Sequence, residues 1–151
     1  MRDQKHLKRF NLTAMAKLNP YLTFNGNCKE AMHFYKEILG GELTVQLAGD
    51  SPVKDQMPAK YHNQVLHSAL KNDDLEIMAT DMIPGGFNEG NTVHLCLICK
   101  TENEARTLFE KLSAGGKVNQ PLTEMFFGLL GNLTDKYGKY WMVECDKPQE
   151  A

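Results

Sequence analysis

The sequence lacks the features that would place a protein in a membrane or on nucleic acid. Its 151 residues contain no run of about 20 apolar residues, the length that a membrane-spanning helix needs. The charged N-terminus is followed by no apolar stretch, so no signal peptide is predicted. The formal net charge is −2, and a nearly neutral surface gives little counterion release on nucleic acid. We therefore predict neither a membrane partner nor a nucleic-acid partner.

Cysteine is scarce, and the few that occur point to a reducing compartment. Four cysteines without an export signal are typical of free thiols, which predicts a cytoplasmic protein. Apolar residues make up 42% of the chain and charged residues 24%, the balance of an ordinary globular domain and not of a disordered chain. We predict a single domain over residues 15–151.

The first 14 residues differ from the rest of the chain. They are rich in lysine and arginine and show no lasting periodicity. We predict that residues 1–14 are a disordered extension or a leader added for expression, and the alternative is a basic arm for nucleic acid.

An internal repeat is the most informative feature of the sequence. Residues 30–43 read EAMHFYKEILGGEL, and residues 104–118 read EARTLFEKLSAGGKV. In both copies apolar side chains recur at helical spacing, and a pair of glycines follows that can close a helix. Each copy therefore predicts one amphipathic helix that must bury its apolar side.

Short β-like segments surround each predicted helix in the same order. One precedes the helix and three follow it, so each half reads βαβββ, with the first module over residues 17–82 and the second over residues 91–146. A glycine-rich stretch, residues 81–91, joins them. A polar segment, residues 48–64, lengthens one connection in the first module, and because such loops are uncommon unless functional we hypothesise a lid.

The repeat predicts an α+β fold with an open side. A four-stranded sheet covered by one helix leaves its other face bare, and two such sheets side by side form a half-open curved sheet with the helices outside. The bare faces then surround a concave cavity, which predicts a small-molecule site there.

Several spaced motifs resemble those of a known family. They are Pro20–Asn27 (PYLTFNGN), the helix motif from Glu30 to Gly41, His67, Met78 with Asp81, Gly115-Gly116, and the run from Gly128 to Met142 that contains DKYG. Together they cover residues 17–146 and resemble the PhnB-like branch of the vicinal-oxygen-chelate superfamily, which includes glyoxalase I, bleomycin-resistance proteins and extradiol dioxygenases. The resemblance implies a glyoxalase/bleomycin-resistance-like fold and a homodimer. Phe127 departs from the pattern, because the family usually carries tryptophan before Gly128.

The resemblance also implies four metal-ligand positions, on the first and last strands of each module. In this sequence they fall on Pro20, near Met78, on His94 and on Met142. Proline has no donor side chain and a thioether is too soft for a hard catalytic cation, whereas an open catalytic site needs about three protein donors. We therefore predict a degenerate metal site and no cofactor. A weaker alternative is a divalent cation held by His67, Glu76 and His94.

Strand alternation and the resemblance together give the candidate pocket residues. The apolar members are expected to form a wall and the polar members a few handles, a mixture that suits an aromatic or amphiphilic ligand. The candidates are His67, Glu76, Met78, His94, Cys96, Phe127 and Met142. Cys96 and Cys99 have redox-pair spacing, but positions three apart on a strand point to opposite faces, so no redox role is predicted.

Two classes of function remain open. The first is a small-molecule-binding protein that acts by sequestration, as resistance proteins of this superfamily do, with no catalytic residue assigned. The alternative is a metal-dependent lyase, isomerase or dioxygenase of the superfamily; without a metal, His94 or His67 is the candidate proton carrier near neutral pH. Some relatives carry a methyltransferase label, but the sequence has no glycine-rich loop of the kind that opens a Rossmann helix, so methyl transfer is not predicted.

Overall fold

The computed structural model describes residues 16–148, so the prediction made for residues 1–14 lies outside the described residues. In chain order the elements are β1 (Tyr21–Thr23), α1 (Cys28–Leu39), β2 (Glu42–Leu47), β3 (Val65–Lys71), β4 (Glu76–Thr80), β5 (Leu95–Cys99), α2 (Glu102–Ser113), β6 (Lys117–Met125), β7 (Gly128–Thr134) and β8 (Tyr140–Asp146). Within this described range, neither helix is long and apolar enough to cross a membrane.

The strands form two four-stranded sheets with the same connectivity. The strand order is β1-β4-β3-β2 in the first sheet and β5-β8-β7-β6 in the second. In each sheet the first strand of the module runs parallel to the last, and the other neighbours are antiparallel. The two βαβββ modules that the repeat predicts are confirmed, and each sheet keeps its own hydrogen-bond ladder.

Each helix packs on one face of its own sheet because its apolar side chains recur every three to four residues. The buried helix residues are Cys28, Ala31, Met32 and Tyr35 in α1, and Ala105, Phe109 and Leu112 in α2. They join the inward side chains of both sheets in one hydrophobic cluster. Each large apolar side chain in such a cluster contributes roughly 1.5–3 kcal/mol of burial free energy. This burial stabilises the packing of each helix against its own sheet.

A buried carboxylate from the end of the first sheet holds the start of α1. Oδ1 of Asp81 accepts hydrogen bonds from the backbone amides of Gly26 and Cys28, at 2.9 and 3.0 Å. Its Oδ2 accepts from the amide of Val65 at 2.9 Å. One side chain therefore ties the helix start to both β3 and β4.

The start of α2 is held locally instead. Oγ1 of Thr101 accepts a hydrogen bond from the amide of Glu104 at 3.1 Å. The Glu104 carboxylate in turn accepts from the amide of Lys100 at 3.0 Å. Thr101 therefore caps the first turn and Glu104 binds the residue before the cap, so these contacts hold the start of α2 without help from the sheet.

The turn between β7 and β8 connects the two modules. Oδ2 of the buried Asp135 accepts hydrogen bonds from the Tyr35 hydroxyl of α1 at 2.6 Å and from the Trp141 indole N–H at 2.8 Å. Its Oδ1 accepts from the amides of Tyr137 and Lys139, at 2.8 and 3.1 Å. Burial, together with the adjacent Asp135, raises the pKa of the Tyr35 hydroxyl. The turn is therefore an anchor between α1 of one module and β8 of the other.

The β6–β7 hairpin differs from the sequence pattern. The apolar pattern predicts strands at residues 118–122 and 126–133, but β6 continues to Met125, and Phe126 and Phe127 form a two-residue turn. The strand boundaries were wrong because the pairing of β6 with β7 is irregular between Gln120 and Thr123, which breaks the alternation of apolar residues. Phe126 is 92% exposed as a result.

Residues 48–64 form a compact insertion of three single-turn 3-10 helices between β2 and β3. Its ends are joined by hydrogen bonds from the amide of Ala48 to the carbonyl of Gln64 and from the amide of Gly49 to the carbonyl of His62, at 2.9 and 2.8 Å. A Cβ at Gly49 would come within 2.9 Å of His62, so this close approach requires glycine. The lid role stays a prediction.

Candidate functional site

The faces of the sheets that the helices leave bare, called the open faces here, carry several predicted pocket residues. On β8, Trp141 and Val143 are buried in the core, and Met142 between them is half-buried on the open face. Met78 occupies the corresponding place on β4. His67 lies on the same face of β3, because the partner of Met78 on that strand is two residues further along. The open faces therefore present thioethers and an imidazole.

A tyrosine accompanies each of two predicted histidines. The Tyr21 hydroxyl and Nδ1 of His67 lie 3.1 Å apart, within hydrogen-bond distance. The rings of His94 and Tyr140 meet edge to face, with centroids 5.4 Å apart. Burial raises the pKa of Tyr21, although 48% of this residue is exposed. Sequence reasoning missed Tyr21, even though strand alternation alone puts it on the open face opposite the buried side of β1.

A cavity of about 690 Å³ lies where the residues around β1 and β4 of the first module meet β5 of the second. We call this place the module boundary and this cavity the large cavity. Three predicted pocket residues line it, namely Glu76, His94 and Cys96. The rest of the lining is mixed. Its apolar members are Leu18, Pro20, Leu75, Ile77, Val93, Leu95, Leu97 and Trp141, and its polar members are Lys17, Asn19, Lys71, Asn72, Asp73 and Asp74. A cleft that combines apolar walls with polar groups from both modules is a common form of small-molecule site.

The polar groups of the large cavity differ in their partners. The Glu76 carboxylate accepts a hydrogen bond from Nζ of Lys17 at 2.7 Å, and this contact holds the pKa of Glu76 below its ordinary value. The Cys96 thiol lies 3.9 Å from a carboxylate oxygen of Glu144. Burial, followed by the nearby Glu144 charge, raises the pKa of Cys96. The cavity thus contains a charged carboxylate and a neutral thiol at neutral pH.

The other predicted pocket residues do not line the large cavity. His67, Met78 and Met142 lie elsewhere on the open faces, although Met142 pairs with the lining residue Cys96 in the sheet. Phe127 lies in the turn between β6 and β7, the two strands of the second sheet furthest from the module boundary. The structure therefore groups Glu76, His94 and Cys96 and separates them from Phe127.

The cysteines are free thiols with different surroundings. Cys96 is exposed and Cys99 is buried, on opposite faces of β5. Burial raises the pKa of Cys99 to about 11 and that of Cys28 to about 12. Thiols with such pKa values carry little thiolate at neutral pH, so they are poor nucleophiles.

The four positions implied as metal ligands do not form a catalytic donor set. The carbonyl of Pro20 accepts a hydrogen bond from the amide of Met78 at 3.1 Å, so the backbone of Pro20 is already in use. Met78 and Met142 offer thioethers, which leaves the imidazole of His94 as the one borderline donor. In residues 16–148, no three His, Cys, Asp or Glu side chains gather into a metal-binding group. These residues do not fit a resident divalent cation.

Comparisons with known proteins agree with this architecture. A family model described as 3-demethylubiquinone-9 3-methyltransferase matches residues 16–144. Protein YjdN of Escherichia coli (strain K12) is 30% identical over 142 residues, which cover 87% of this chain and 97% of that protein.

Solved structures show the same fold. Protein PA1353 from Pseudomonas aeruginosa is 34% identical, with a TM-score of 0.80, and covers 89% of this chain and 100% of its own. A Bacillus cereus PhnB protein, described as a putative 3-demethylubiquinone-9 3-methyltransferase, is 26% identical with a TM-score of 0.68, over 86% of this chain and 99% of its own. A glyoxylase/bleomycin resistance protein/dioxygenase domain from Frankia sp. EAN1pec is 17% identical with a TM-score of 0.61, over 91% and 96%, and shows the fold alone.

The predicted α+β glyoxalase/bleomycin-resistance-like fold is thus confirmed, with helices outside two repeated modules. The family match spans nearly the whole described chain, and relatives of 30% identity or more align over most of their length. The chain belongs to the 3-demethylubiquinone-9 3-methyltransferase family, the PhnB-like branch of the vicinal-oxygen-chelate superfamily.

Proposed function

We propose that the protein binds a small organic ligand in the large cavity and acts by binding it, without a resident metal. The observation that carries this proposal is the convergence of Glu76, His94 and Cys96, from both modules, on one partly apolar cleft of about 690 Å³. Residues of both modules are needed to form the cleft. The affinity of a ligand there depends on the relative position of the two modules as well as on their side chains.

The side chains of the large cavity restrict the ligand's chemistry. Leucine, isoleucine, valine and tryptophan side chains form part of its walls, and the polar part includes the Glu76 carboxylate, the His94 imidazole and a rim of lysine, asparagine and aspartate side chains. Such a site favours an aromatic or amphiphilic molecule that places a hydrogen-bond donor against Glu76 and its apolar body against the leucines. A cationic or N–H donor group gains most from the carboxylate.

We also propose that a second copy of the chain covers part of the open faces. Ile98 lies on the open face of β5 beside Cys96 and is 71% exposed, so a subunit packed on this face would bury its side chain. Ile98→Lys is expected to convert a dimer into a monomer in sedimentation velocity, whereas Phe126→Lys, at the outer hairpin, is expected to leave the dimer intact. A wild-type monomer at micromolar concentration overturns this part of the proposal.

A cytoplasmic location is proposed on the same footing. Its support is the set of free cysteines, three of them buried, which suits a reducing compartment.

Methionine methyl groups provide the test of ligand binding. Met78 and Met142 lie on the open faces near Glu76 and Cys96, whereas Met32 is fully buried in the core. Protein labelled with ¹³C at the methionine methyls is titrated with a library of aromatic amines and phenols. A binder is expected to shift the Met78 or Met142 methyl signals and to leave that of Met32 unchanged.

A pair of glutamate variants makes this test specific. Glu76→Gln is expected to weaken binding about tenfold, because a hydrogen bond to a charged group is lost. Glu42→Gln, on the outer strand β2 of the same sheet, is the matched control and is expected to change nothing. Equal affinities for the two variants contradict a site at Glu76.

The metal-dependent alternative is tested in the same preparation. Mn²⁺ or Zn²⁺ is added alone and the melting temperature is measured. A rise that His94→Ala abolishes overturns the metal-free proposal and favours a lyase, isomerase or dioxygenase.

A further inference from the structure

A second cavity lies at the module boundary, on the side where the linker between the modules passes. Its volume is about 340 Å³, and we call it the small cavity. Tyr21, Thr23, Glu89, Lys139 and Tyr140 are among its lining residues. Val93 and Leu95 line both cavities, so the two sites are neighbours with different polar groups.

The ammonium group of Lys139 is the charged centre of the small cavity. Only 11% of its side chain is exposed. Nζ donates to both carboxylate oxygens of Glu89, at 2.8 and 2.9 Å, and to the carbonyl of Thr23 at 2.6 Å. The ring of Phe24 lies 4.5 Å from Nζ and that of Phe87 lies 5.5 Å away. An ammonium with so little water around it depends on a carboxylate partner.

Glu89 reaches this ammonium from a loosely packed part of the chain. A Cβ added at Gly85, Gly86 or Gly90 would meet no atom within 4 Å. About a third of the Glu89 side chain is exposed, and its hydrogen bonds among residues 16–148 all go to Lys139. Glu89 can therefore leave Lys139 without disturbing the core.

We propose that Lys139 anchors a carboxylate-binding site and that Glu89 is its tethered occupant. A small aromatic carboxylate enters the small cavity, takes the place of the two Glu89 oxygens on the ammonium, and lays its ring against the aromatic and aliphatic lining formed by Tyr21, Val93 and Tyr140. The exchange replaces one ion pair with another. It does not depend on the ligand proposed for the large cavity.

The tether sets the affinity of this site. A carboxylate from solution binds only in the fraction of molecules in which Glu89 has left Lys139, so its apparent affinity is lowered by that fraction. A tethered group also competes at a high effective concentration. Replacing the Glu89 carboxylate with a neutral amide removes the competitor and leaves the ammonium without its anion.

Benzoate is the probe, with benzyl alcohol as its uncharged counterpart. Titration calorimetry is expected to show that Glu89→Gln binds benzoate about tenfold more tightly than the wild type, and that neither protein binds benzyl alcohol. Benzoate is also expected to raise the melting temperature of Glu89→Gln more than that of the wild type. Glu124→Gln, which removes the partner of Lys147 in an exposed ion pair, is the control and is expected to behave as the wild type.

Two results overturn the proposal. One is equal benzoate affinity in Glu89→Gln and the wild type, which makes Glu89 a structural contact of the linker. The other is undiminished binding when Lys139→Met is added to Glu89→Gln, which places benzoate elsewhere. Glu76→Gln, in the large cavity, is expected to leave benzoate binding unchanged, so failure here and failure of the proposed function are distinguishable.

Discussion

The two modules share one topology but use the turn before their last strand differently. In the first module, Oδ1 of Asn72 accepts from the amides of Asp74 and Leu75, at 2.8 and 3.0 Å, and its side-chain amide donates to the carbonyl of Leu39 in the module's own helix. Asp135 stands at the corresponding place in the second module and makes the same kind of turn. Its second carboxylate oxygen, however, crosses to the helix of the other module.

The partners of this crossing contact have no polar counterparts in the other half. The repeat aligns Tyr35 with Phe109, and the strand register aligns Trp141 with Ile77. Polar contacts therefore join the modules at one end of their boundary, while the large cavity occupies the end near Asn72. In this duplicated fold, the large cavity lies where polar contacts between the halves are missing, and the small cavity lies beside one of them, the hydrogen bond from Lys139 to Thr23.

Removing the Asp135 carboxylate gives the sharpest test of this asymmetry. Asp135→Ala leaves two side-chain donors and two backbone amides without their acceptor, and the free energy of unfolding is expected to fall by about 3–5 kcal/mol. Asn72→Ala breaks the corresponding turn on a half-exposed surface and is expected to cost about 1 kcal/mol. Urea denaturation measures both values. Equal losses would mean that the crossing contact adds nothing to the turn.

The helix starts offer a second comparison. Asp81→Ala removes one acceptor from three amides on different elements, and a loss of about 2–4 kcal/mol is expected. Thr101→Ala removes a local cap and is expected to cost about 1 kcal/mol. Hydrogen exchange of the first turn of each helix distinguishes local fraying from global unfolding. Fraying alone after Asp81→Ala contradicts the link between α1 and the sheet.

The contact between the Tyr35 hydroxyl and Asp135 makes the free energy of unfolding depend on pH. Its raised pKa means that the folded state keeps the proton at pH values where the unfolded chain, with a pKa of about 10, has lost it. The contribution is complete below pH 10, and stability falls above it by up to about 1.4 kcal/mol per pH unit. Tyr35→Phe is expected to cost about 1–2 kcal/mol at pH 7 and to flatten this alkaline decline. Denaturation at several pH values, with Tyr61→Phe as the control, measures the slope.

The smallest effect is expected when the first module is given the carboxylate of the second. Asn72→Asp keeps the acceptor of the turn, but the aligned positions Phe109 and Ile77 have no donors for its second oxygen. A change in the free energy of unfolding below about 1 kcal/mol is expected. A clear gain in stability contradicts the view that the contact of Asp135 between the modules depends on its two donors, Tyr35 and Trp141.

The sequence could predict the topology because the information is local and written twice. Apolar spacing in residues 30–43 and 104–118 defines both helices, and alternation defines most strands. It failed in the hairpin around Phe126 and Phe127, because two adjacent aromatic residues look like strand and the irregular β6 hides the true register. Local pattern therefore predicts the elements better than their ends.

The polar contacts between distant segments could not be read from the sequence. Asp81 and Asp135 look like ordinary turn residues, yet Asp135 binds a hydroxyl 100 positions away. Among the pocket candidates, strand alternation groups Glu76 with Met78 and His94 with Cys96, but it does not give how far along the sheet the cavity extends. In the sequence, the difference between the aligned residues Tyr35 and Phe109 is the one sign that the two halves make different polar contacts at their boundary.

The insertion between β2 and β3 closes on itself, and this has a consequence for the history of the fold. Because the amides of Ala48 and Gly49 bond the carbonyls that lead back into β3, the chain leaves and re-enters the sheet at nearly the same point. The entropic cost of lengthening such a segment grows only slowly with its length. Evolution can therefore trim, extend or exchange this segment among relatives, while the strands beneath it keep their pairing.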